Sequence, residues 1–92
     1  MNNLDIIIKQ LPIEYVNKMG REALESIYQF FTEEAYVERV TIEDMLGWRK
    51  YYSVKECCDK LSITGCYTWE DVTEYYPCWN MLSDGAMLVA VD

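Results

Sequence analysis

The sequence predicts an α+β fold: several short helices packed on a small antiparallel sheet that includes a C-terminal hairpin. Three observations carry that expectation. Helix-start signals recur at Thr41-Ile42-Glu43-Asp44, Ser53-Val54-Lys55-Glu56 and Thr68-Trp69-Glu70-Asp71. Each places a hydroxyl where it can accept from first-turn amides, and an acid three residues later that can reach back. Apolar residues recur at i, i+3, i+4, i+7 in Val54, Cys57, Cys58, Leu61 and in Leu24, Ile27, Tyr28, Phe31, the period of a helix with one face on a core. Beyond Pro77 two apolar runs flank Asp84-Gly85, a strong hairpin signal.

From the N-terminus, Leu4 and Ile6-Ile7-Ile8 form a run too short for its period to separate a buried strand from a short helix. Pro12 suits the first turn of a helix, where its missing amide would have gone unpaired, and Gly20 is placed to end that helix after Met19. The next helix starts at Arg21 and reaches the mid-thirties. Val37 to Ile42 is rich in β-branched residues and reads as a short strand. A brief helix from Ile42 packs Ile42, Met45 and Leu46 and stops at Gly47 in the left-handed conformation. Trp48 to Tyr52 reads as a connector in which Trp48 and one tyrosine cover the core while Arg49 and Lys50 face water. A basic pair between aromatics can also grip single-stranded nucleic acid, a reading that the acidity of the chain disfavours.

Gly65 separates the second and third capped helices. The third carries Trp69, Val72, Thr73 and Tyr76 on its apolar stripe and ends at Pro77, which cannot continue the hydrogen-bond ladder. Cys78 to Leu82 and Ala86 to Val91 are the hairpin strands. The last is apolar on both faces, so helices should cover one side, and a dimer partner or the Ile6-Ile7-Ile8 segment the other.

Ninety-two residues, 51% of them hydrophobic and 14% aromatic, suit one globular domain spanning residues 1–92 rather than a disordered chain. No basic stretch followed by an apolar run opens the sequence, and no apolar run approaches the roughly 18 residues of a membrane helix. A cytoplasmic location and no membrane partner are expected. In that compartment Cys57, Cys58, Cys66 and Cys78 should stay reduced. Their spacing, with no histidine in the chain, does not supply the ligand pairs of a zinc site.

Catalysis has little to stand on. The usual near-neutral acid-base group is missing, the four glycines are isolated, and no phosphate-cradling loop or nucleophile elbow occurs. A non-enzymatic role without metal or cofactor follows as the expectation.

Charge is the most informative remaining feature. The formal net charge is -8, and from Leu61 onward there are five acids, Glu70, Asp71, Glu74, Asp84 and Asp92, with no lysine or arginine. With Trp69 at zero, Glu70, Glu74 and Asp71 fall near about 100°, 140° and 200° on a helical wheel, opposite the apolar stripe. A solvated face that keeps a small protein soluble is one reading. The other is an electronegative surface that meets a basic one, such as a surface built to hold nucleic acid. Glu70, Asp71, Glu74 and Asp84 are then the candidate partner-binding acids, with Trp48 and Trp79 as candidate aromatic anchors. DNA or RNA itself would be repelled.

In size, charge and the Glu70, Asp71, Glu74 face, the chain resembles the small acidic inhibitors that phages and mobile elements direct against host nucleases, anti-CRISPR proteins above all. The resemblance implies a stoichiometric inhibitor that occupies a basic nucleic-acid channel of a CRISPR-Cas effector in a bacterial host. It carries over no catalytic or binding residue. The alternatives are an antitoxin-like or regulatory protein-binding module, and a homodimeric structural protein whose apolar last strand pairs with its copy.

Overall fold

The computed structural model describes residues 3–91; Met1, Asn2 and the acid Asp92 lie outside them. The chain expected as one domain divides into two compact units, one ending at Trp48 and the other beginning at Arg49.

The first unit is helical. The N-terminal run that period alone left open is a helix, α1 (Asn3–Gln10), burying Leu4 and Ile7 and carrying Asp5 and Lys9 at the ends that the helix dipole favours. Pro12 precedes α2 (Ile13–Met19) as its N-cap. Gly20 then joins two helices by itself. Its N–H donates to the Val16 carbonyl at 2.9 Å, its own carbonyl accepts from Leu24 N–H at 3.2 Å, and its φ of 84° with ψ of 160° is a backbone state that glycine alone adopts freely. The helix α3 (Arg21–Gln29) buries Ala23, Leu24, Ser26 and Ile27. It continues as a widened π turn over Phe30–Glu34, closed by Ala35 N–H on the Phe30 carbonyl at 3.0 Å. The helix thus reaches the mid-thirties, in two geometries.

The strand expected over Val37 to Ile42 does not form: the chain bends at Glu38 and Arg39, and Thr41 is already the N-cap of α4 (Ile42–Leu46). Both halves of that capping box are present: Asp44 N–H donates to Thr41 Oγ1 at 3.2 Å, and Thr41 N–H to Asp44 Oδ2 at 2.9 Å. Gly47 is not left-handed as expected; at φ -75° it follows the helix in a conformation open to any residue.

The second unit holds the sheet, of strand order β1-β3-β2 and antiparallel. The segment expected as a connector is β1 (Trp48–Tyr51), recruited by one edge of the central strand β3 (Met87–Ala90). The other edge takes β2 (Cys78–Met81), with Cys78 opposite Val89, Trp79 opposite Leu88, and a bulge at Asn80, whose φ is 61°. Between β2 and β3, Gly85 at φ 89° donates its N–H to the Leu82 carbonyl at 3.0 Å. The hairpin that the Asp-Gly pair signals forms, with Ser83 and Asp84 as the central turn residues and Gly85 in the left-handed position after them.

Helix α5 (Val54–Leu61) is capped by Ser53, which accepts from Glu56 N–H at 3.0 Å; the Glu56 carboxylate reaches one residue further back, to Tyr52 N–H at 3.2 Å. Ser62, not a glycine, takes the left-handed position that ends α5. Helix α6 (Trp69–Thr73) is shorter than expected, although its last turn is prolonged by Tyr76 N–H on the Val72 carbonyl at 2.9 Å. Tyr51, Cys57, Val72 and Val89 form the core of this unit, with Val54, Leu61, Trp69 and Tyr76 packed around it. Thr73, placed on the apolar stripe by its spacing, is exposed and donates its hydroxyl to the Glu70 carbonyl at 2.6 Å.

Candidate partner-binding surface

The acidic surface is built on α6. Thr68 accepts from Asp71 N–H at 3.3 Å, while Asp71 Oδ2 accepts from Tyr67 N–H at 2.9 Å and Thr68 N–H at 3.1 Å. Those backbone donors, Tyr67 first and then Thr68, hold the Asp71 carboxyl below its ordinary pKa. Asp71 is therefore occupied in starting the helix and adds its charge to the face from a fixed position.

Glu70 and Glu74 differ. Both are exposed, one turn apart, and make no ion pair with a basic side chain among the described residues. Like charges at i,i+4 repel by a few tenths of a kcal/mol, so the face carries a small standing cost that an incoming cation would relieve. In the first unit, by contrast, Arg21 meets both Asp5 and Glu25, each at 2.8 Å.

Two exposed tyrosines flank these acids in the chain. Tyr67 is 86% exposed just before the helix, and Tyr75 57% exposed just after Glu74. Neither was among the anchors read from the sequence. The signal that could have found Tyr75 is its helical position, about 240° from Trp69 and so on the polar side. Tyrosine faces beside carboxylates suit an arginine or lysine side chain, which the ring attracts through its negative face and the acids through charge.

The other expected residues sit elsewhere. Asp84 lies in the hairpin turn, where Oδ1 accepts from Ala86 N–H at 3.1 Å and Oδ2 from the Tyr52 hydroxyl at 3.2 Å. Lys50 Nζ lies 5.7 Å from the centre of the Tyr52 ring. Lys50 is thus engaged by an aromatic ring of its own chain, the ring whose hydroxyl donates to Asp84. Trp79 is half-buried on β2.

Trp48 is corrected outright as a surface anchor, because it is only 2% exposed. It packs edge-to-face on Phe30 and Phe31, at centroid distances of 5.2 and 6.2 Å, and its carbonyl accepts from the Tyr15 hydroxyl at 3.0 Å. Large aromatics fill cores as readily as they anchor interfaces, and here the π turn supplies the rings that enclose it. The dimer expected to pair last strands is also unavailable in that form, since β3 is central and both its edges are taken. Leu88 and Val89 are each fully buried within the single chain.

All four cysteines are free, and no group of three or more His, Cys, Asp or Glu among the described residues could hold a metal ion. No described helix is long and apolar enough to cross a membrane. A groove in the first unit, about 710 Å³, is lined by apolar Ile6, Ile7, Val40 and Ile42 together with charged Glu38, Arg39 and Glu43. No protein-family model, curated protein or solved structure matches the chain.

Proposed function

We propose that the chain is a non-enzymatic inhibitor that docks its acidic α6 face on a basic, nucleic-acid-handling surface of a bacterial defence effector of the CRISPR-Cas type. The observation that supports this reading is the pairing of Glu70 and Glu74, exposed and without a basic partner, with the exposed rings of Tyr67 and Tyr75. Charge draws the partner's arginines or lysines in, and the rings give them a surface to stack on once water is displaced. Asp71 serves by holding the helix start, so the face stays in one conformation before binding and little ordering is lost on contact.

The test is a DNA-cleavage assay with a panel of purified RNA-guided nucleases, titrated with the wild-type chain and with the E70K/E74K variant. The reading expects one or more nucleases to be inhibited near equimolar protein and to recover activity with the variant. Full cleavage by the whole panel at large excess of the wild-type chain would reject it.

A further inference from the structure

The π turn that ends α3 closes on a residue poorly suited to the place. Ala35 caps the turn, and Tyr36 follows at a φ of 53°, with Val37 N–H donating to the Phe31 carbonyl at 2.8 Å. Helix ends that close in this way favour glycine or asparagine there, because a Cβ in the left-handed state crowds the following carbonyl. Among the described residues Ser62 and Asn80 share the state but are small and polar, whereas Tyr36 is bulky. Its ring offsets none of that strain inside the chain, being 83% exposed and without a hydrogen bond or ring contact among the described residues. A strained backbone beneath an unused aromatic ring points to a contact outside the chain.

Glu38 lies two residues on, at most about 7 Å of chain away. It lines the apolar groove of the first unit, where Ile6 and Ile7 of α1 come together with Val40 and Ile42. Ile7 and Val40 are buried, but Ile6 is 43% exposed, so the groove leaves apolar surface in water that an incoming side chain would cover. The charge of the segment is mostly of one sign. From Glu33 to Asp44 the chain carries Glu33, Glu34, Glu38, Glu43 and Asp44 against Arg39 alone. The complement of such a surface is apolar at its centre and basic at its ends.

We propose that this groove and Tyr36 form a second docking site, which takes a short peptide segment of a partner protein with apolar residues flanked by lysine or arginine. The apolar side chains cover Ile6 and enter the groove over Ile7 and Val40. The flanking cations meet Glu38 and Glu43, and the Tyr36 ring offers its face to one of them. The site lies in the first unit and does not depend on the reading of α6.

The test titrates the isotopically labelled chain with the synthetic peptide Lys-Arg-Leu-Leu-Arg-Lys and follows amide resonances by NMR. Saturable shifts at Tyr36, Ile6, Ile7, Val40 and Ile42 are expected. Peptides with both leucines replaced by serine, or with all four cations replaced by glutamate, should bind at least about tenfold more weakly. Tyr36→Gly should weaken the leucine peptide by about tenfold, as loss of an aromatic anchor does, and raise the urea midpoint of the free chain by relieving the left-handed strain. Ile6→Ser, at an exposed position, should also weaken the peptide and leave the fold intact. Shifts confined to the residues around Glu70 and Glu74, equal binding of the serine peptide, or a Tyr36→Gly midpoint below that of the wild-type chain would overturn the proposal. So would shifts of the groove residues with protein concentration alone, which would seat a second copy of the chain there.

Discussion

Val72→Ala tests how α6 is held, and its size can be worked from the structure. Val72 is fully buried against Tyr51, Cys57 and Val89. The change removes two methyl groups, about 1.6 kcal/mol of transfer free energy at about 0.8 kcal/mol each, and leaves a small cavity. Alanine's better helix propensity returns about 0.5 kcal/mol. A net loss of about 1.5–2.5 kcal/mol follows, once the cavity contributes. With a urea dependence of about 1–2 kcal/mol per molar, the unfolding midpoint should fall by about 1 M. The assay is urea unfolding followed by tryptophan fluorescence, to which Trp69 and Trp79 of the second unit contribute. Thr73→Ala, at a position with the same helical spacing but an exposed side chain, is the control and should change stability by less than about 0.5 kcal/mol. Equal losses at both positions, or a Val72→Ala midpoint unchanged, would refute the packing described for α6.

Other predictions follow from the same residues. Burial pushes the Cys57 thiol from 9.0 up to about 11, so the unfolded chain ionises it first; stability should be intact below pH 9 and decline as pH rises towards 11. Urea midpoints measured across that range, with Cys57→Ala showing a shallower decline, check this. The E70K/E74K variant should keep the wild-type melting temperature, whereas Asp71→Ala, which strips the acceptor from Tyr67 and Thr68 N–H, should lower it; thermal unfolding of the two separates charge on the face from the cap beneath it. Gly85→Ala meets no neighbouring atom but must hold a φ of 89°, so it should cost about 1–2 kcal/mol through backbone strain alone, read as a fall in the same urea midpoint.

The parts of the fold legible in the sequence were those written locally. Thr41 with Asp44, Thr68 with Asp71, and Asp84-Gly85 each fix a structure within a few residues, and all three form. What depended on distant partners was not legible. Trp48–Tyr51 becomes a strand because β3 offers an edge, a fact of residues 87–90 rather than of the segment itself. Val37 to Ile42 has strand-like composition and finds no edge, so Thr41 is used for capping instead. At the candidate site the same limit applies. The acidic side of α6 follows from helical period, but one residue's work does not, since Asp71 is both a charge on that side and the acceptor that starts the helix. Trp48 and Tyr67 are aromatics of similar promise in one dimension; the rings of Phe30 and Phe31 enclose the first, and the second is left in solvent.

Affinity for a nuclease inhibited in the cleavage assay, measured for the wild-type and E70K/E74K chains at low and high salt, bears most directly on the acidic face. Electrostatic docking predicts tight wild-type binding at low salt, weaker binding as salt screens the attraction, and weak binding by the variant at both. Equal affinity under all four conditions would contradict it.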